Sequence, residues 1–350
     1  MTRVFFGADL GHTAPMIRAA HHIWRCNPRW SIVAAVLLAA SAVCPCGAQD
    51  VFPSKPIHLV VPSTAGGTTD IVGRALGQVL SQRLNVSFIV EQRVGGSTNI
   101  GMTYVAKAPP DGYTLLVVTD TLTANVSTFR DPGYDPVTSF APISILARAP
   151  GALAVRRDLG VANVDEFIDL ARRKGRDLTV ASTGSGSVSH LTGIMFQQRM
   201  GLPAWTDVPY AGSAKAVTDL ISGHVDAIFS MVVPLVPHVE SGSLKLVAVT
   251  TSRRSPAVPS VPTVAERTGA TDFDVANWTA LLAPAGTPAP VVEKLAAAVG
   301  EAMRDPDLLK RFSLLGVDAA GDGPDVLAGE IRRTVVQWRD VVRKAGIKVN

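Results

Sequence analysis

The stretch of residues 57–70 restricts the fold more than any other part of the sequence. Its first five residues, Ile57–Val61, are an apolar strand that runs towards Gly66 and Gly67. A helix is predicted directly afterwards, over residues 70–84, because apolar side chains recur there at helical spacing. The first N–H groups of a helix have no internal partner and lie at the positive end of its dipole, so this helix start is suited to an anion. An ordinary strand–loop–helix turn, rich in glycine for its geometry alone, explains the stretch equally well.

Two more loops of the same kind follow along the chain. A strand at residues 178–181 leads into a loop rich in serine and glycine, residues 182–187, and then into a helix at Val188–Met200. A third loop, at residues 210–213, precedes another helix. Apolar strands that alternate with amphipathic helices predict an α/β sheet, whose ligands bind beyond the C-terminal ends of the strands. We therefore expect these loops and the polar segment 119–121 to converge.

The C-terminal part of the sequence indicates that one domain is inserted into another. Residues 273–282 have a strand pattern, and three predicted helices follow them. The simplest packing returns this segment to the first unit, so that lobe 1 comprises residues 49–152 and 273–350 and lobe 2 comprises residues 153–272. Two connections would then cross between the lobes, which is the arrangement of a hinge around a cleft.

Residues 1–48 have the pattern of a secretory signal peptide. Basic residues precede a short apolar run at residues 30–43, and the small residues Cys46 and Ala48 suit cleavage after Ala48. The run is shorter than the roughly 18 apolar residues of a membrane span. An uncleaved anchor and lipid attachment at Cys44 or Cys46 are the alternatives.

Removal of this leader changes what the composition implies. All three cysteines lie within it, so the mature chain would have no disulfide, no cysteine nucleophile and no thiolate metal site. The whole sequence has 33 basic and 29 acidic residues; the leader holds four and one of them, which leaves 29 and 28 and a net charge of +1. No basic face therefore favours nucleic acid as a partner.

No motif predicts catalysis or a metal site. The histidines of the mature chain are scattered without the spacing of metal ligands. The loop at residues 182–187 matches neither the hydrolase nucleophile elbow nor the dinucleotide fingerprint. Ser187 and His190 have the spacing of a nucleophile and its base, but this is also the spacing of a helix cap, which is commoner. We predict that the protein is not an enzyme and binds no metal or cofactor, with a secreted serine hydrolase as the alternative.

A series of short motifs follows in a fixed order along the mature chain. They are Phe52-Pro53-Ser54-Lys55-Pro56-Ile57, Ala65-Gly66-Gly67-Thr68-Thr69-Asp70, Asn99-Ile100-Gly101, residues 107–116, Tyr134-Asp135-Pro136, residues 185–191, Val208-Pro209-Tyr210, residues 259–266 and residues 282–288. Each is weak alone, but their order along one chain is specific. In these motifs the sequence resembles the extracytoplasmic solute receptors of tripartite tricarboxylate transporters, often called the Bug family.

The resemblance implies a two-lobed α/β periplasmic-binding-protein fold, type II-like, in which each lobe is a sheet flanked by helices and the ligand cleft lies between the lobes. In the family, two strand–helix loops hold a carboxylate of the ligand, partly through ordered water. The positions that correspond to this site are Ala65, Gly66, Gly67, Thr68, Asp70, Ser182, Thr183, Gly186, Ser187 and Tyr210. Asp70 is expected to cap the helix and orient the loop, because a carboxylate that faced an anion would repel it.

The resemblance also implies the function. It predicts a secreted, monomeric periplasmic receptor that captures a small organic acid and delivers it to the permease subunits of a tripartite tricarboxylate transporter. An orphan receptor that presents its ligand to a sensor kinase is the alternative. Ser63-Thr64, Ala211 and Ser230-Met231 depart from the family's usual residues, so the ligand of other members does not transfer to this chain.

Overall fold

The computed structural model describes residues 52–347, so the signal peptide predicted for residues 1–48 lies outside the described residues. The described strands are β1 Ile57–Val61, β2 Phe88–Gln92, β3 Thr114–Thr119, β4 Phe140–Arg156, β5 Thr179–Ser182, β6 Thr206–Pro209, β7 Ala227–Met231, β8 Leu244–Val249, β9 Ala276–Pro284 and β10 Asp318–Asp322. They form one ten-stranded sheet with the main order β2-β1-β3-β9-β4-β7-β5-β6, while β8 and β10 pair with β4. The predicted α/β fold is confirmed.

Helices flank this sheet. The described ones are α1 Thr68–Leu84, α2 Asn99–Ala106, α3 Thr121–Thr128, α4 Val164–Lys174, α5 Val188–Met200, α6 Ser213–Ile221, α7 Val236–Glu240, α8 Val264–Thr268, α9 Ala289–Ala302, α10 Pro306–Leu314 and α11 Pro324–Ala345. Across residues 52–347, none of them combines the length and the apolar composition needed to cross a bilayer.

The long strand β4 connects two halves of the sheet. Its residues 140–150 pair with β9, and this first half also contains β1, β2, β3 and β10. Its residues 151–156 pair with β7 and β8, and this second half also contains β5 and β6. The sequence predicted two separate strands here, at residues 143–147 and 152–155. They are one strand because the carbonyls of Pro150 and Gly151 accept hydrogen bonds from Val232 and Thr250. The division into two lobes stays a prediction.

Strand β1 determines where the loop at residues 62–67, called the first loop below, lies on the sheet. It pairs in parallel with both β2 and β3, and its residues Leu59, Val60 and Val61 are fully buried. A parallel strand that is covered on both faces needs such an unbroken apolar run. Its C-terminal end, next to that of β3, therefore delivers the chain to α1 at one edge of the sheet.

Helix α11 packs against both halves. Its Leu327 and Val335 join the buried cluster beside Trp278 of the first half. Nearer its C-terminal end, Trp338 and Val341 join the cluster of the second half. The C-terminal helix is thus shared between the two cores.

The prediction missed four short elements, α3, α7, α8 and β10. Helix α3 begins within the polar segment 119–121 and is rich in Thr, Asn and Ser, which have low helix propensity, so the sequence gives no helical signal there. Its Leu122 is fully buried against Leu327 and Val335 of α11, so tertiary packing overrides propensity. Strand β10 was missed because acidic residues and a glycine make it a poor strand former.

Candidate functional site

Two adjoining cavities lie beyond the strand ends. The first has a volume of about 290 Å³ and the second about 280 Å³. Asp120, Met231 and Asn277 line both of them, so the two form one continuous cleft. The first loop and the start of α1 contribute Gly67 and Thr68 to the second cavity, and the loop after β5 contributes Thr183 and Ser187 to the first. Four of the ten predicted site residues therefore line the cleft.

The start of α1 carries no side-chain cap among the described residues, which corrects the expectation that Asp70 would cap it. The N-cap residue is Gly67, with an extended backbone. The first backbone N–H groups of α1 are therefore left for another acceptor. Thr69 and Ser63 line the same cavity beside Gly67 and Thr68.

Asp70 lies behind the first loop and orients it. Its Oδ2 accepts a hydrogen bond from the backbone nitrogen of Gly66 at 3.0 Å. Its Oδ1 accepts from Arg74 Nε at 3.0 Å and from Gln92 Nε2 at 3.1 Å. Burial acts to raise the pKa of this carboxyl, but these hydrogen bonds and the guanidinium hold the pKa below its ordinary value. Ala65 and Gly66 are exposed and line neither cavity.

The second loop is built around Ser187. Its Oγ accepts a hydrogen bond from the backbone nitrogen of His190 at 3.3 Å and so caps α5. Thr183 Oγ1 donates to the same oxygen at 3.3 Å. Gly186 has a φ of +76°, and a Cβ there would lie 3.3 Å from Thr128 Cγ2. The loop thus rests against the end of α3, which leaves little room for a side chain.

Ser182 and Tyr210 line neither cavity. Ser182 is buried, and its Oγ donates to Asp207 Oδ2 at 3.2 Å. The Tyr210 hydroxyl donates to Asp219 Oδ2 at 2.9 Å. The two residues instead support the loop, because the backbone nitrogen of Tyr210 donates to the carbonyl of Ser182 at 2.9 Å.

Ser187 and His190 form a cap, with the imidazole turned to other partners. His190 Nδ1 accepts a hydrogen bond from the backbone nitrogen of Gly186 at 3.0 Å, and its Nε2 lies 3.7 Å from Asp207 Oδ2. Burial raises the pKa of Asp207, with His190 acting against it. No bond joins the imidazole to the Ser187 hydroxyl among the described residues, so this geometry gives the hydrolase alternative no support.

Sequence reasoning did not select several cleft residues. The sequence marks Asp120 and Thr121, because they end the polar segment 119–121 after β3. Asn277 lies within strand β9, and no sequence pattern marks it as a cleft residue. Arg148 lines the second cavity and pairs with Asp322, with Nη2 and Oδ2 3.0 Å apart. The wall of the cleft therefore includes a cationic side chain, which none of the ten predicted site residues supplies.

Asp120 is the most unusual residue of the cleft. Its side chain follows β3 at the start of α3, and the residue is 5% exposed. Burial raises the pKa of its carboxyl to about 8; the backbone N–H of Thr121 acts against this, and the negative charge of Glu330 acts in the same direction as burial. Across residues 52–347, no group of three or more His, Cys, Asp or Glu side chains is placed to hold a metal ion.

Comparisons with known proteins agree with this architecture. The sequence model described as "Tripartite tricarboxylate transporter family receptor" matches residues 72–347. The structure of the periplasmic binding protein BugD is 33% identical, with a TM-score of 0.69, over 85% of this chain and 99% of that one. MatC from Rhodopseudomonas palustris with bound malate is 34% identical, with a TM-score of 0.69, over 83% of this chain and 100% of that one.

A further solved structure, R. palustris Rpa4515 with adipate, is 34% identical, with a TM-score of 0.70, over 84% of this chain and 98% of that one. The family match covers well over half of the sequence, and these structures align with nearly all of the described residues. The chain therefore belongs to the tripartite tricarboxylate transporter receptor family, as a solute-binding receptor of the Bug type.

Proposed function

We propose that this protein is a periplasmic receptor that binds a small carboxylate-bearing acid in the cleft and delivers it to the membrane permease subunits of a tripartite tricarboxylate transporter. In this proposal the leader at residues 1–48 directs export, and lobe 1 (49–152 and 273–350) and lobe 2 (153–272) close on the ligand. The receptor works by binding and release, without chemical conversion of the ligand.

One observation carries the proposal: two helix starts contribute to adjoining cavities. Gly67 and Thr68, at the start of α1, line the second cavity, and Ser187 and Val188, at the start of α5, line the first. Helix starts present N–H groups and the positive end of a dipole, which suits a carboxylate. Each hydrogen bond contributes only about 0.5–1.5 kcal/mol, so binding requires several of them together.

The class of ligand follows from the size of the cleft and from the relatives. Each cavity has a volume near 280–290 Å³, which suits a small organic molecule. Two similar structures hold the diacids malate and adipate. Arg148, although paired with Asp322, adds positive charge to the second cavity. These observations favour an organic acid with more than one oxygen-bearing group.

A thermal-shift screen of the mature chain tests the proposal. The panel contains succinate, malate, adipate, citrate, benzoate and glutamate, with glucose as an uncharged control. An acid at 100 times its dissociation constant is expected to add about 2.7 kcal/mol to the free energy of unfolding. Stabilisation by glucose alone, or by no member of the panel, would contradict a carboxylate ligand.

Matched variants then locate the binding. Thr183→Val removes a hydroxyl that lines the first cavity and keeps the shape of the side chain. Its control is Ser185→Ala, in the same loop but exposed and outside both cavities. The Thr183 variant is expected to weaken binding of the stabilising acid about three- to tenfold, and the control is expected to bind like the wild type. Equal binding by both variants would place the ligand elsewhere.

A further inference from the structure

Asp120 has a carboxyl oxygen that the protein itself does not use. The backbone of this residue is fully engaged: its nitrogen donates to Trp278 O at 3.1 Å, and its carbonyl accepts from Thr123 N at 3.0 Å. Its Oδ2 is buried and has no hydrogen-bond partner among the described residues. Buried polar atoms in native proteins are nearly always bonded, so an orphaned oxygen in a residue that lines both cavities indicates a missing partner.

The place of this oxygen suggests which partner is missing. Asp120 lines both cavities and so lies where they meet. Only 5% of the surface of Asp120 is exposed to solvent. A ligand that extends from one cavity into the other would pass this carboxyl.

The charges around Asp120 do not favour its ionised form. From α11, Glu330 faces it with a negative charge and is itself paired with Arg333, with Oε1 and Nη2 2.7 Å apart. From β4, Arg148 lines the second cavity but is paired with Asp322. Helix α3 and strands β3 and β9 carry no charged residue. Among the described residues, no cation forms an ion pair with Asp120, and a buried carboxyl without one favours its neutral form.

We propose that Asp120 is a ligand-binding residue whose protonated carboxyl donates a hydrogen bond to a second oxygen-bearing group of the bound acid. This inference rests on the proposed function, because it assumes that the helix starts hold a first carboxylate. It assigns the ligand to the diacids. Their second carboxylate would accept a charge-assisted hydrogen bond from the protonated carboxyl of Asp120. Binding then retains a proton that the free protein would lose in alkaline solution.

A pH series of calorimetric titrations tests this inference on the mature wild-type chain. The probes are succinate, malate and adipate, each compared with a monoacid of matched length, butyrate or hexanoate. All these acids are ionised above pH 7, so the protein alone supplies the pH dependence. Because the pKa of Asp120 is about 8, its protonated fraction in the free protein falls from about nine-tenths at pH 7 to about one-tenth at pH 9. The apparent affinity for a diacid is therefore expected to fall about tenfold.

Two variants complete the test. Asp120→Asn keeps a hydrogen-bond donor but cannot titrate, so it is expected to bind the diacid at pH 7 within about threefold of the wild type and to keep that affinity at pH 9. Asp318→Asn is the control, because burial also raises the pKa of Asp318 but this residue lines neither cavity. The Asp318 variant is expected to retain the tenfold decrease.

The outcomes separate this inference from the function on which it rests. Diacid binding that is independent of pH in the wild type overturns the role of Asp120 and leaves the receptor function standing. A loss of more than about thirtyfold in Asp120→Asn at pH 7 also overturns it, because the amide keeps a hydrogen-bond donor and a donor role would survive the substitution. If no acid binds at any pH, the proposed function and this inference fail together. The wild-type series decides the matter even if Asp120→Asn does not fold.

Discussion

The carboxylate of Asp70 and the backbone nitrogen of Gly66 are joined by a hydrogen bond of 3.0 Å, which holds the first loop against the start of α1. The same carboxylate accepts from Arg74 and Gln92 on its other side. The acidic side chain next to the first loop is thus turned to the interior, whereas Gly67 and Thr68 line the second cavity.

Asp70→Ala is expected to lower both stability and ligand affinity. It removes the buried carboxylate that accepts hydrogen bonds from Gly66, Arg74 and Gln92, and the loss of these bonds is expected to cost about 1–3 kcal/mol in the free energy of unfolding. Chemical denaturation measures this cost. The control is Asp325→Ala, in the first turn of α11 but exposed, which should cost less than about 1 kcal/mol. Similar losses in the two variants would mean that the bonds of Asp70 contribute little.

Ser187→Ala is expected to lower the free energy of unfolding by about 1 kcal/mol. The variant removes the oxygen that caps α5, and loss of a serine N-cap typically has this effect. Ser187→Asn retains a capping side chain and should recover most of the stability. The comparison is made by urea denaturation. An alanine variant as stable as the wild type would show that the cap has no energetic role.

Gly186→Ala is expected to destabilise the protein more than Gly160→Ala. The two glycines have nearly the same φ, +76° and +74°, so both variants share the strain of the left-handed region. Only at Gly186 would the new methyl group lie 3.3 Å from Thr128, whereas the space around Gly160 is open. Each variant should cost about 1–2 kcal/mol, with the larger cost at Gly186. Thermal unfolding checks the order, and the reverse order would contradict the described packing of loop and helix.

The stability of the protein should decrease as the pH rises from about 4 to about 8, in part because of Asp120. Its folded-state pKa is raised to about 8, above the value of an unfolded aspartate, so the folded state binds the extra proton in this range. The contribution of this one group is about 1.4 kcal/mol per pH unit and is lost by about pH 8. Denaturation of the wild type and Asp120→Asn across this range measures it. Parallel curves for the two proteins would show that Asp120 is ionised when folded.

The sequence predicted the backbone of the site better than its side chains. Strand β1 and helix α1 follow from an unbroken apolar run and a helical period, and both are close to their predicted bounds. The rule that ligands bind at strand ends selected loops that contribute residues to the two cavities. It could not tell that Ser182 and Tyr210 line neither cavity, because their partners Asp207 and Asp219 come from other elements.

Other parts of the site depend on tertiary structure alone. Helix α3 has a poor helical sequence and is held by its burial against α11. Asn277 reaches the cleft because β9 pairs with β4, and no motif marks that pairing. The buried state of Asp120 depends on the same packing, so its raised pKa could not be inferred from residues 119–121 by themselves.

A crystal structure of the mature chain with the acid that stabilises it most tests directly whether the two helix starts hold the ligand. We expect a ligand carboxylate in the cleft, within hydrogen-bond reach of the start of α1 at Thr68 or of α5 at Ser187, directly or through one water. An acid bound outside the two cavities, or a complex in which neither helix start contacts it, would show that the helix starts do not form the binding site.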